Sequence, residues 1–344
     1  MLLRGGGKVN IREAAIAVIR DWILGKLTYY YRPGGVIGNA KRLVPMVPKP
    51  SVRPPLKYYD IVGDLMINFL ANRRAAIIKQ VGDSATLMTR AKHEDGSKLP
   101  IIINNKDELI RYVKAGGIDF MASVGTALSR GGIDIAIIDV KGGRKVWMLD
   151  RGGLELMDLI VTVIRVVFEY VGLVNNAVIF DGMNGFKVVA SLSREVSDDD
   201  MKSFVNLVGE VVNRSLKSFD LFQAYGNDVI IGGNTMLKVK MYRVPLSLHW
   251  STKLSAIPLA RVYDFLTLYA DPSNVIKRLE TNRKLLEPLF SKNPIDSLLD
   301  AVNRWANNDY ELIYYIKGVI RSRIKYGGVG TELGIDRENL KTEY

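Results

Sequence analysis

The stretch from Leu154 to Val174, LELMDLIVTVIRVVFEYVGLV, is the most apolar run in the sequence, and it limits what the chain can fold into more than any other feature. A run of this length is either a membrane span or a helix buried on almost every side. Glu155, Asp158, Arg165 and Glu169 lie inside it, and that many ionisable groups oppose insertion into hydrocarbon. The run therefore predicts a buried amphipathic helix closed by Gly172, in a protein with no membrane partner. The opening MLLRGGGKVN holds no apolar core long enough for a signal peptide, so the expected location is cytoplasmic.

The 344 residues are 48% hydrophobic and 24% charged, which suits about two domains, or one large α/β unit with appendages. Lys plus Arg number 48 against 36 for Asp plus Glu, a formal charge of +12. A polyanion, DNA or RNA, is the expected partner, because neutralised phosphates release condensed counterions. There is no cysteine, which excludes disulfides, thiolate zinc sites and a cysteine nucleophile. With only two histidines, any metal would need carboxylates and would be magnesium-like. The same composition is compatible with a thermophile's cytoplasm.

Periodicity places helices at 11–25, 58–72, 106–115 and 154–172, with another opened by the Ser197 cap. Strands are expected at AAIIKQV, ATLMTRA, GGIDFMASV, IDIAIIDV, KVWMLD, DVIIGG and on both sides of Asp181–Lys187. Gly142-Gly143 reads as a hairpin turn between IDIAIIDV and KVWMLD. After Pro258 the chain reads as helical, beginning with ARVYDFLTLYA. His93 falls in a charged loop. Between Lys41 and Lys57, prolines alternate with Lys41, Arg42, Lys49, Arg53 and Lys57, which reads either as an extended basic arm suited to phosphates or to a partner subunit or as a linker clamped to the surface. The expected fold is α/β (α+β), with mixed sheets and flanking helices. It divides into an N-terminal helix and arm (1–57), a core (58–260) and a helical C-terminal segment (261–344).

Three stretches could carry chemistry. Asp139 ends the strand IDIAIID, and alternation puts Lys141 on its face and Asp134 on the other. A two-metal site wants a second carboxylate where Lys141 stands. Gly182 and Gly185 allow a tight loop that by spacing alone is a plain hairpin turn, or one whose N–H groups approach a phosphate with Lys187 beside it. In RVPLSLH, Pro245 is expected to hold the chain extended, so that Arg243, Ser247 and His249 offer donors on one side.

These stretches, in this order, resemble the signature of the archaeo-eukaryotic primase superfamily, which includes primase small subunits and ligase D polymerase domains. That signature runs Asp-x-Asp, then Ser-Gly-x-x-Gly-x-His, then one acidic residue on a strand, then Arg-Leu-Pro-x-Ser-Leu-His with a following Thr-x-Leu and proline. Asp139, Gly182, Gly185, Arg243, Pro245, Ser247, Leu248, His249, Thr252, Leu254 and Pro258 fall at matching positions, and YYDIVGDLMINFLANRR is similar to the helix that opens the polymerase domain. The resemblance spans about 58–260.

It implies a primase–polymerase fold in which three carboxylates hold the metals while the turn, arginine and histidine grip a nucleotide triphosphate. The chain departs from that pattern at Lys141, Asp181 and Lys187, and at Ile231 and Gly232, where the third carboxylate belongs. One carboxylate of three does not position two divalent ions. Asp228 and Asp150 are the available substitutes. The leading expectation is thus a catalytically degenerate primase-like subunit of DNA replication or repair. It would bind nucleic acid and nucleotide phosphate through Arg243, Ser247, His249, Lys187, Gly182, Gly185 and Lys141, with no metal or cofactor and with other replication or repair subunits as partners. The alternatives are an active primase or polymerase using Mg or Mn in a rearranged site, and a structural scaffold.

Overall fold

The computed structural model describes residues 55–81, 84–92, 97–129, 131–147, 151–232, 240–307 and 311–325. The helix expected at 11–25, the arm residues Lys41, Arg42, Lys49 and Arg53, and also His93 and Asp150, lie outside the described residues. Lys57 is described and is exposed at the start of the first helix.

Two antiparallel sheets organise the chain, with helices packed on both. Helix α1 (Leu56–Leu70) and helix α2 (Lys106–Lys114) pack against each other and on strand β5 (Gly117–Ser123). Asn105 caps α2, its side chain accepting from the Glu108 N–H, which meets a donor the first turn would otherwise leave unpaired. The first sheet also contains β1 (Arg74–Val81), β2 (Ser84–Met88), β3 (Arg90–Lys92), β4 (Lys98–Ile102) and β10 (Met241–Arg243). Its order is β10-β5-β1-β4-β3, with β2 paired to β1.

The second sheet has the order β11-β7-β8-β6-β9. It is built from β6 (Ile133–Gly142), β7 (Asn176–Phe180), β8 (Gly185–Val196), β9 (Val229–Ile231) and β11 (Pro258–Leu259). Arg73 joins the sheets: standing just before β1, it donates Nη1 and Nη2 to the two oxygens of Asp134 on β6, at 2.7 and 2.8 Å.

Short helix α3 (Arg144–Trp147) leads into α4 (Arg151–Tyr170), which contains most of the apolar run. Between Gly152 and Tyr170 no residue of α4 is exposed. Two of the charges inside it are bonded by the fold: Asp158 Oδ1 accepts from the Val262 and Tyr263 N–H groups, and Arg165 Nε donates to Asn176 Oδ1. Helix α5 (Asp198–Leu216), capped by Ser197, packs on α4 and β6. Among the described residues no helix is long and apolar enough to cross a membrane.

After α6 (Asp220–Tyr225), the C-terminal part contributes α7 (Pro272–Lys277), α8 (Leu279–Leu286), α9 (Asp296–Ala306) and α10 (Glu311–Lys325). It is stitched to the second sheet by Asn293, which is fully buried and donates to the Asn175 and Ser191 carbonyls while accepting from the Asn175 N–H. Helices α9 and α10 pack on α5 and α4.

Two local expectations are corrected. The described part of KVWMLD is not the second strand of a hairpin: β6 runs through Lys141 and Gly142, and Arg144–Trp147 is helical. The Asp228 carbonyl takes the Gly143 N–H at 2.6 Å and its carboxylate takes the Val146 N–H at 3.0 Å, so a remote acidic residue caps a helical turn where a strand partner was expected. ARVYDFLTLYA is not a helix either, apart from a 3-10 turn at Thr267–Ala270. Two of its N–H groups are bound by Asp158, so they do not enter an i to i−4 ladder.

Candidate functional site

Asp139, Lys141 and Lys187 come together on the second sheet because β6 and β8 pair with Asp139 opposite Lys187 and Lys141 opposite Gly185. Asp139 and Lys187 are both buried, and their side chains form a direct ion pair. A buried carboxylate without a counter-charge would be strongly disfavoured, and the lysine standing where a histidine was expected supplies that counter-charge inside the fold. β9 lies on the other side of β6, with Ile230 opposite Lys141. Gly232 follows, its N–H bonded to the Asp139 carbonyl at 2.8 Å. The neighbour expected to supply the third carboxylate therefore has no side chain. Asp228, the possible substitute, is committed to the cap of α3.

The loop after β7 has the tight form its glycines predict. Gly182 has φ of +84°, and a Cβ at Gly185 would lie 2.8 Å from the Val140 carbonyl, so both positions need glycine. The loop N–H groups do converge on an anion, and that anion is Asp181. Its Oδ1 accepts from Met183, Asn184 and Gly185 at 2.8, 3.0 and 3.1 Å. The acidic residue in place of serine fills the concavity with a carboxylate of the chain itself.

The RVPLSLH segment is not an extended strand. Only Met241–Arg243 pair with β5; the chain then turns at Pro245-Leu246, with Leu246 at φ +67°, a costly conformation for a side chain branched and buried as this one is. Tyr58 and Tyr59 of α1 hold it there. Tyr58 Oη donates to the Leu246 carbonyl, and Tyr59 Oη accepts from the Leu248 N–H. Arg243, Ser247 and His249 consequently point at three different partners. Ser247 Oγ, fully buried, accepts from the Phe120 N–H at 2.7 Å. Arg243 Nε and Nη2 donate to the two oxygens of Asp119, and Nη1 donates to the Asp181 carbonyl.

His249 Nδ1 faces the Ser251 and Thr252 N–H groups at 3.2 and 3.3 Å, which makes it an acceptor and leaves the ring proton on Nε2. Burial, reinforced by the Arg243 charge, lowers its pKa to about 4. Thr252 Oγ1 donates to the Gly182 carbonyl at 2.6 Å, so this turn and the glycine loop pack directly together. Trp250 stacks on His249 and is partly exposed at the rim.

Asp119 is the residue that sequence reading missed. It sits in the strand GGIDFMASV, is fully buried and receives Arg243 in a bidentate pair as well as the Trp250 N–H. Its only signal was a lone acid in an otherwise apolar strand, which requires a buried cation from somewhere else. Every element of the candidate grip except Lys141 is thus bonded within the chain. Lys141 is half-buried over Gly185 and has no ion-pair partner among the described residues.

A divalent centre fits these residues poorly. Asp139 is held by an ammonium, the two companion positions are Lys141 and Gly232, and no group of three His, Asp or Glu among the described residues could hold an ion.

Two antiparallel sheets joined by this arginine segment, this glycine loop and the flanking helices define a primase–polymerase type of fold. One solved structure that shares it is the polymerase domain from Mycobacterium tuberculosis ligase D in complex with DNA, which matches with a TM-score of 0.53 and 16% identity over 70% of this chain and 92% of that one. The AEP domain of the cyanophage S-2L primase–polymerase also matches, at 12% identity over 67% of this chain and 96% of that one, but with a TM-score of 0.30 the two superpose only loosely. No family model and no curated protein matches the chain in sequence.

Proposed function

We propose that this protein binds nucleic acid in DNA replication or repair on a primase–polymerase fold and does not itself join nucleotides. The observation that carries this reading is the buried Asp139–Lys187 pair. A carboxylate whose charge is already matched by an ammonium has lost most of its attraction for a divalent ion. The loop and Arg243 support it, since the donors that would meet a triphosphate are bonded to Asp181 and Asp119. The net charge of +12 supplies the attraction for a phosphate backbone. The solved neighbour with the shared fold was captured with DNA.

The test is extension of primed and unprimed templates by the full chain with all nucleotides and either magnesium or manganese. No product is expected. Extension that disappears in Asp139→Ala would overturn the proposal. Binding of an oligonucleotide should weaken steeply with salt, and a flat salt response would count against nucleic acid as the partner.

A further inference from the structure

The face of the first sheet that carries Arg243 continues well beyond the candidate site. Arg243 stands opposite Met121, which stands opposite Ala76 of β1. Side chains alternate along a strand, so Arg74 lies on that same face. It is opposite Ile102 of β4, and Pro100 and Lys98 of β4 are opposite Arg90 and Lys92 of β3. Arg74, Arg90, Lys92 and Lys98 therefore share one face across three strands.

All four are exposed, and none has an ion-pair partner among the described residues. The only acids between Arg74 and Ile102 in sequence are Asp83, Glu94 and Asp95, all outside the described residues. Two cavities border this strip. One, of about 250 Å³, is lined by Arg74, Ser123, Thr126, Ser129 and Lys240 and lies on the way to Arg243. The other, of about 400 Å³, is lined by Arg74, Pro100 and Ile102 of this face and by Ala91, Leu99, Ile101 and Tyr112 from the other side of the ribbon.

We infer that this strip carries the phosphate backbone of a single-stranded nucleic acid, with one base seated in the Tyr112 cavity. The inference rests on the nucleic-acid reading above and names the surface that performs it. Cations two residues apart on a strand are separated by about 6.8 Å, and neighbouring strands by about 4.8 Å, so the four charges form a continuous track. Backbone charge next to an aromatic, apolar cavity is the combination that binds single strands without regard to sequence. A base reaches such a cavity only when it is unpaired, which is why the single strand is favoured over the duplex.

The test compares the full chain with an Arg90→Ala, Lys92→Ala, Lys98→Ala triple variant and with Tyr112→Leu, measuring affinity for a fluorescent deoxyoligonucleotide across a salt series. Melting curves check that each variant is folded. Removing three phosphate contacts should make the log–log salt slope shallower by about 2. Tyr112→Leu should weaken binding roughly tenfold and leave the slope unchanged. If the unaltered chain binds and the triple variant keeps its slope, this surface is wrong while the nucleic-acid reading stands. If the unaltered chain does not bind the oligonucleotide at any salt, both fall. Equal affinity for a duplex, or capture of anionic vesicles in place of the oligonucleotide, would also overturn the assignment.

Discussion

Arg243 and Asp119 form a bidentate pair, both N···O distances 2.8 Å, with the carboxylate fully buried. The pair spans 124 positions of sequence and holds β10 to β5 at the centre of the candidate site. It also turns the one arginine of the RVPLSLH segment inward, toward the chain's own charge.

Replacing Asp119 by Ala strands a buried guanidinium and a backbone N–H, that of Trp250. The expected loss is about 3–5 kcal/mol of stability, read as a lower urea midpoint with an unchanged m-value.

The Asp139–Lys187 pair should behave as a unit. Either single change, Asp139→Leu or Lys187→Met, is expected to cost about 3–5 kcal/mol, whereas the double change should be close to neutral because apolar packing replaces a desolvated pair. A double-mutant cycle by chemical denaturation measures the coupling.

His249 makes stability pH-dependent. Its folded pKa, about 4, lies below the unfolded value of 6.5, so the folded state binds fewer protons between these values. Its contribution is complete above about pH 6.5 and is lost as pH falls toward 4. The loss is on the order of 3 kcal/mol. Denaturation at pH 7 and pH 4.5 should show it in the unaltered chain and show less of it in His249→Gln. A His249 ring signal that titrates near pH 6.5 by NMR would contradict the buried neutral tautomer.

Asp181 closes the glycine loop with three N–H contacts. Asp181→Ser removes the carboxylate and leaves the loop donors open. The variant is expected to lose about 1–3 kcal/mol and to gain thermal stabilisation from added inorganic triphosphate that the unaltered chain does not show. Equal stabilisation of both would mean that Asp181 does not occupy the anion position.

Much of the frame was legible because it depends on local pattern. The apolar run with its internal charges dictated the buried α4, the Ser197 cap marked the start of α5, and the glycines at 182 and 185 marked the tight loop. Where reading failed, a distant residue had taken over local bonding. Asp228 made a helical turn out of RKVW, and Asp158 kept ARVYDFLTLYA from coiling. Tyr58 and Tyr59 bent RVPLSLH out of an extended course.

The sequence by itself determined an order of motifs that resembles the primase signature, with Lys141, Lys187 and Gly232 at positions where that resemblance implies metal and nucleotide ligands. Only the tertiary structure decided that Lys187 neutralises Asp139, that Asp181 fills its own loop, and that Asp119 claims Arg243. It also aligned Arg74, Arg90, Lys92 and Lys98 on one face. The physical reason is register: which charges meet across a sheet depends on how strands far apart in sequence are paired, and a shift of one residue would send each of these side chains to the opposite face.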